Sequence, residues 1–135
     1  MTIRNCTFEK NTASKSACIY DEGSTSVVLI ENTVFQENVT HCAATIHLAG
    51  TYTIESCIFY NNLTKDSPYG YQWGGAAFLT GTGTINNCVF VNNSAVDAGG
   101  GIVADNNVVV SNSVFYGNSC PGTGGQTIWV KSGSC

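Results

Sequence analysis

The chain has 135 residues, 43% hydrophobic and only 10% charged, with a net charge of −4. One domain fits that length, and five Lys and Arg scattered singly form no basic patch, so nucleic acid and anionic membrane surfaces are excluded as partners. No apolar run approaches the roughly 18 residues of a membrane-crossing helix, and the opening MTIRNCTFEKN lacks the apolar stretch of a signal peptide.

The first element, TIRNCTFEKN, begins inside a repeat, so the chain reads as a piece of something longer or as one whose ends are covered by partners. Its template is an Ile, a small residue three positions on, a Phe two later and an Asn three later. In chain order the copies are Ile3-Cys6-Phe8-Asn11, Ile30-Thr33-Phe35-Asn38, Ile54-Cys57-Phe59-Asn62, Ile85-Cys88-Phe90-Asn93 and Val110-Ser113-Phe115-Asn118. Between copies lie short runs rich in small residues: SACIY, AATIH, GGAAF, GGGIV and GQTIW. A third run, such as SVVLI or TYTI, leads into each Ile. No segment keeps a 3.6-residue period, and low charge leaves little material for surface helices.

Three short β runs in units of about 25 residues predict an all-β parallel β-helix of about five coils, each stacked on the last at about 4.8 Å. The coils span about 1–26, 27–50, 51–81, 82–107 and 108–135, and 63–73 is an insertion in coil three. Like residues then stack along the axis. Phe8, Phe35, Phe59, Phe90 and Phe115 form an internal ladder. Asn11, Asn38, Asn62, Asn93 and Asn118 form a second ladder at the following corner, bonding turn backbone and each other. Asn5, Asn32, Ser56, Asn87 and Asn112 mark another polar corner, and the glycines of GGAAF and GGGIV allow tight turns with positive φ.

The paired motifs F-x-x-N (FEKN, FQEN, FYNN, FVNN, FYGN) and G-G-A-[ILV] (Gly74-Gly75-Ala76-Ala77, Gly99-Gly100-Gly101-Ile102) carry a resemblance. The chain resembles the repeats of the chlamydial polymorphic outer membrane proteins over nearly its whole length. The resemblance implies a right-handed β-helix and a surface-exposed autotransporter passenger with an adhesive role. That family's membrane-embedded barrel has no counterpart here.

Seven cysteines are present. Cys6, Cys57 and Cys88 fill the small-residue rung as buried thiols, although Cys57 and Cys88 on adjacent coils are also disulfide candidates. Cys18 with Cys42, and Cys120 with Cys135, are further candidate pairs. No C-x-x-C occurs, and His41, Cys42 and His47 make no convincing metal site. No cofactor and no metal are expected.

Few acids share neighbouring rungs. Glu31 with Glu55 is one case, but such a pair is ordinary for a solvated face, so no catalytic residue is expected. The residues flanking each Phe point outward. They turn apolar in coils three to five, as Ile58, Tyr60, Val89, Val91, Val114 and Tyr116, a patch large enough to bind a partner. In the insertion, Tyr69, Tyr71 and Trp73 with Asp66 and Lys65 either offer rings to a sugar or fold down to plug the coil edge. Thr51, Thr53, Thr82 and Thr84 form a ladder only two coils long, with Val108 and Val110 expected beside it, too short for a regular ice-binding array. Sequons start at Asn5, Asn38, Asn62 and Asn92, and Asn92 is the better glycosylation candidate because Asn38 and Asn62 are ladder residues. The expectation is a non-enzymatic extracellular or cell-surface rod that contacts a host-cell protein or glycan, or sister copies packed laterally or axially. The alternative is a fragment of a β-helical polysaccharide lyase or hydrolase whose catalytic residues lie outside this chain.

Overall fold

A computed structural model describes residues 1–66, 68, 70–122 and 124–132. Strands are short and repeat coil by coil. Coil one holds β1 (Thr2–Arg4), β2 (Thr7–Glu9), β3 (Thr12–Ala13) and β4 (Ile19–Asp21); coil two holds β5 (Val27–Glu31), β6 (Val34–Gln36), β7 (Val39–Thr40) and β8 (Ile46–Leu48). Coil three holds β9 (Thr51–Glu55), β10 (Ile58–Tyr60), β11 (Leu63–Thr64) and β12 (Ala77–Leu79). Coil four holds β13 (Thr82–Asn86), β14 (Val89–Val91) and β15 (Ile102–Asp105), and coil five β16 (Val108–Ser111), β17 (Val114–Tyr116) and β18 (Ile128–Ser132).

Each strand pairs in parallel with its counterpart in the next coil, which makes a β-solenoid with four sheets. Three sheets have five strands, led by β1, β2 and β4; the third in coil order, β3-β7-β11, has three. Three strands per coil is therefore corrected to four sheets. The extra one was hidden because its two-residue strands are too short to show alternation, and coils four and five continue it only as single bridges, Leu63 to Ser94 to Ser119.

Register is set by what fits inside. Phe8, Phe35, Phe59, Phe90 and Phe115 stack with centroids 5.0, 4.8, 4.7 and 4.7 Å apart and nearly parallel planes. The middle three rings are fully buried, and each contributes about 2–3 kcal/mol from removal of apolar area alone. Ile3, Ile30, Ile54, Ile85 and Val110 form a parallel column on the first sheet. A one-residue slip would turn both columns to solvent.

The corners supply the rest of the specification. Asn5, Asn32, Ser56, Asn87 and Asn112 all adopt left-handed φ of 48–55°, a conformation that asparagine tolerates better than most residues. A second left-handed set, Lys10, Glu37, Asn61, Asn92 and Gly117, immediately precedes the Asn ladder. As expected, Gly74 and Gly99 take positive φ, 68° and 58°.

All six described cysteines are free thiols. Cys57 and Cys88 fill the small-residue rung with Thr33 and are buried, whereas Cys6 in the outermost coil is exposed. The link between Cys57 and Cys88 is a backbone N–H of Cys57 pointing at Cys88 Sγ, 3.4 Å away, in place of a disulfide. The hydrogen bond with the Cys57 thiol, and then burial, push the Cys88 thiol up. The Cys18–Cys42 pairing is corrected too. Cys18 packs against the core inside the coil, while Cys42 lines a cleft outside it. Cys120 is buried with Sγ against Val96 O, and its suggested partner Cys135 lies outside the described residues.

Candidate functional site

Two outer faces carry side chains that the scaffold does not consume. The first is the sheet holding the Phe ladder. Strand alternation that turns each Phe inward turns its neighbours out. Ile58, Val89 and Val114 stand in one column, and Tyr60, Val91 and Tyr116 in the next, in continuous register. Ile58, Tyr60, Val114 and Tyr116 are exposed, the last by 72%, and Val89 and Val91 are half-covered. The same columns continue into coils two and one as Val34 and Thr7, and as Gln36 and Glu9. The face therefore grades from polar to apolar along the rod.

The second face belongs to the sheet β4-β8-β12-β15-β18, and its content went unread in the sequence. Its outward register position holds Tyr20, His47, Phe78, Val103 and Trp129. The signal was present, since four of the five runs SACIY, AATIH, GGAAF, GGGIV and GQTIW end in a ring. His47 lies between Tyr20, edge-on at 5.3 Å, and Phe78, stacked at 4.7 Å. It is only 7% exposed, and burial holds its imidazole below the usual histidine range. Its Nε2 sits 3.3 Å from Thr80 Oγ1.

The coil-three insertion folds over this line of rings. Trp73 is 9% exposed, edge-on to Phe78 and Trp129, and Lys131 Nζ sits 5.0 Å above its ring. Tyr71 stacks on Trp73 at 4.1 Å and stays exposed. One ring of the insertion thus plugs the coil edge and the other faces solvent. Asp66 and Lys65 are exposed, and neither lines a cleft beside the rings. Tyr69 lies outside the described residues.

Glu31 and Glu55 are register partners on the first sheet, but Glu31 is paired with Arg4 and Glu55 takes both contacts from Asn86 Nδ2, at 3.1 and 2.9 Å. Among the described residues, no three His, Cys, Asp or Glu are grouped to hold a metal ion. The Thr ladder is as short as expected, with its flanks corrected by one residue: Thr53 and Thr84 are followed by Val109, and preceded by Leu29.

A model of the right-handed β-helix region matches residues 1–135. The chain belongs to that family. Comparison with curated proteins, and with solved structures, returned no match. In this right-handed β-helix the ladders account for the repeated letters, and what distinguishes the chain lies in the apolar columns and the ring-bearing face. Sequons divide in the same way. Asn38 and Asn62 are fully buried in the ladder, whereas Asn5 and Asn92 are exposed.

Proposed function

We propose that the chain is a non-enzymatic rod of an extracellular or cell-surface protein, which packs against another protein or a second copy of itself. The contact surface is the apolar end of the Phe-ladder sheet, and the coil-three insertion presents a separate feature to a ligand. The observation that carries this reading is the pair of columns Ile58-Val89-Val114 and Tyr60-Val91-Tyr116 on one flat face. Contiguous apolar area of this kind marks interaction sites on soluble proteins. The F-x-x-N and G-G-A repeats, similar to those of the chlamydial polymorphic outer membrane proteins, support an adhesive surface setting. Glu31 is paired with Arg4 and Glu55 with Asn86, so this pair of acids lends no support to a catalytic role.

The test is the double variant Ile58→Lys with Val89→Lys, compared with the parent chain by sedimentation and by capture on cell-surface material. Two charges at the centre of the face should abolish lateral association or capture without altering the β-rich circular dichroism. Association and capture that persist unchanged in the double variant sink the proposal.

A further inference from the structure

Tyr71 is the wall between two clefts on the ring-bearing face. One, of about 190 Å³, opens between Tyr71 and Tyr20, with Lys15 and Glu22 at its rim. The other, of about 380 Å³, opens between Tyr71 and Trp129, with Asp97 in its lining. Tyr71 is 65% exposed, yet its place is fixed from behind by the buried indole of Trp73. The backbone also holds it, since Tyr71 O accepts the Ala43 N–H at 2.9 Å, and the next residue, Gln72, gives its N–H to Asp97 Oδ2 at 3.2 Å.

We propose that these two clefts bind a neutral glycan chain laid along the rod axis, with a sugar ring stacked on Tyr71. This names the ligand class for the coil-three feature and rests on the reading of the chain as a binding rod. A sugar ring has an apolar C–H face and a rim of hydroxyls. The clefts offer the complement, aromatic walls with a few polar groups at the edges. Backbone groups around them are already used between coils, as in Gly74 N–H to Ala98 O and Gly124 N–H to Asp97 O. That leaves fewer main-chain groups for a peptide, and recognition falls to the ring faces with Asp97 and Glu22 at the cleft edges. Charge argues for a neutral chain. Lys15 is already engaged with Tyr20, and Lys131 with Asp105 and Trp73, so among the described residues neither lysine beside the clefts is a free cation for a polyanion. One cleft touches coils one to three and the other coils three to five, so a ligand reaching both is an oligosaccharide. Preset rings lower the ordering cost of binding.

The experiment presents the full chain to immobilised neutral oligosaccharides, tetramers of hexose and of N-acetylhexosamine in α and β linkages, beside polyuronate and a proline-rich peptide as controls. Binding to at least one neutral linkage class is expected, with Tyr71→Ala weakening it about tenfold or more and Tyr71→Phe retaining it. Val27→Ser, on a different face, should leave it unchanged. Because the Tyr71 ring is exposed, its removal should leave the melting temperature near the parent value, which separates lost contact from lost fold. Failure of every neutral glycan to bind overturns the proposal, as does binding that survives Tyr71→Ala or is confined to polyuronate or the peptide. Glycan binding that holds while lateral association fails removes the apolar-face reading and leaves this site standing.

Discussion

Asn38 gives its backbone N–H and its Nδ2 hydrogen to a single oxygen, Oδ1 of Asn62, at 3.1 and 2.9 Å. Asn62 repeats the arrangement toward Asn93, at 3.0 and 2.9 Å, and uses its other Nδ2 hydrogen on Phe35 O at 2.9 Å. The corner of each coil is thus a donor to the next coil and an acceptor from the previous one. Buried amides in such a chain have no alternative partner, because water is excluded from the interior.

Replacing Asn62 with Ala should therefore cost about 3 kcal/mol or more, since several buried groups lose their partner at once. The same change at Asn118 should cost less. Asn118 accepts from Asn93 and donates to Phe90 O, but lies at the end of the ladder. Urea unfolding of the two variants checks the order, and equal losses would contradict a ladder that couples neighbouring coils.

Thiol reactivity should follow burial. Cys6 is exposed, whereas desolvation pushes the Cys18 thiol up to about 12, and Cys57 and Cys88 have no exposed surface. Iodoacetamide near pH 8.5, read by peptide mass spectrometry, should label Cys6 first and leave Cys57 and Cys88 intact until the chain unfolds. A raised thiol pKa also means that the folded state holds a proton that the unfolded state releases. Stability from this source is full below about pH 9 and declines as pH rises toward 12, and Cys18→Ala should flatten that decline.

His47 shifts in the opposite direction. Its folded pKa is lowered by burial between Tyr20 and Phe78. In the unfolded chain it takes up a proton near pH 6.5. Below that value the unfolded state binds more protons, so stability should fall with acid through this window. His47→Phe should remove that part of the pH dependence while keeping the stack. A melting temperature with the same acid slope in both proteins would show that His47 does not titrate on unfolding.

Glu37 occupies a left-handed corner, φ 55°, where coil five has Gly117. A side chain with a Cβ costs roughly 1–2 kcal/mol there. Its ion pair with Lys10, at 3.6 Å, is exposed and worth little. Glu37→Gly should accordingly raise stability by about 1 kcal/mol in denaturant unfolding, and a loss of that size would mean that the corner is held by its side chain.

Much of the architecture was legible because one letter recurs at one place in each coil. Phe and Asn could be aligned by eye, and an internal ladder follows from the stacking of like residues. The fourth sheet was not legible, since Leu63–Thr64 and its counterparts are two residues long. The rings of the candidate glycan site were half legible. Tyr71 and Trp73 stood out as aromatics in an insertion, but Tyr20, His47, Phe78 and Trp129 differ from coil to coil, so no repeated letter drew attention to their shared outward position.

By itself, the sequence determined the solenoid, its internal Phe and Asn ladders and the outward apolar columns, because those depend on alternation within a strand and repetition between coils. Only the tertiary structure decided that Trp73 is buried and Tyr71 exposed. It decided also that Cys18 and Cys42 lie on opposite sides of the coil wall, and that four unlike rings line one sheet. These are contacts between a loop and strands of other coils. They depend on how an insertion packs across the rungs, and no local periodicity records that.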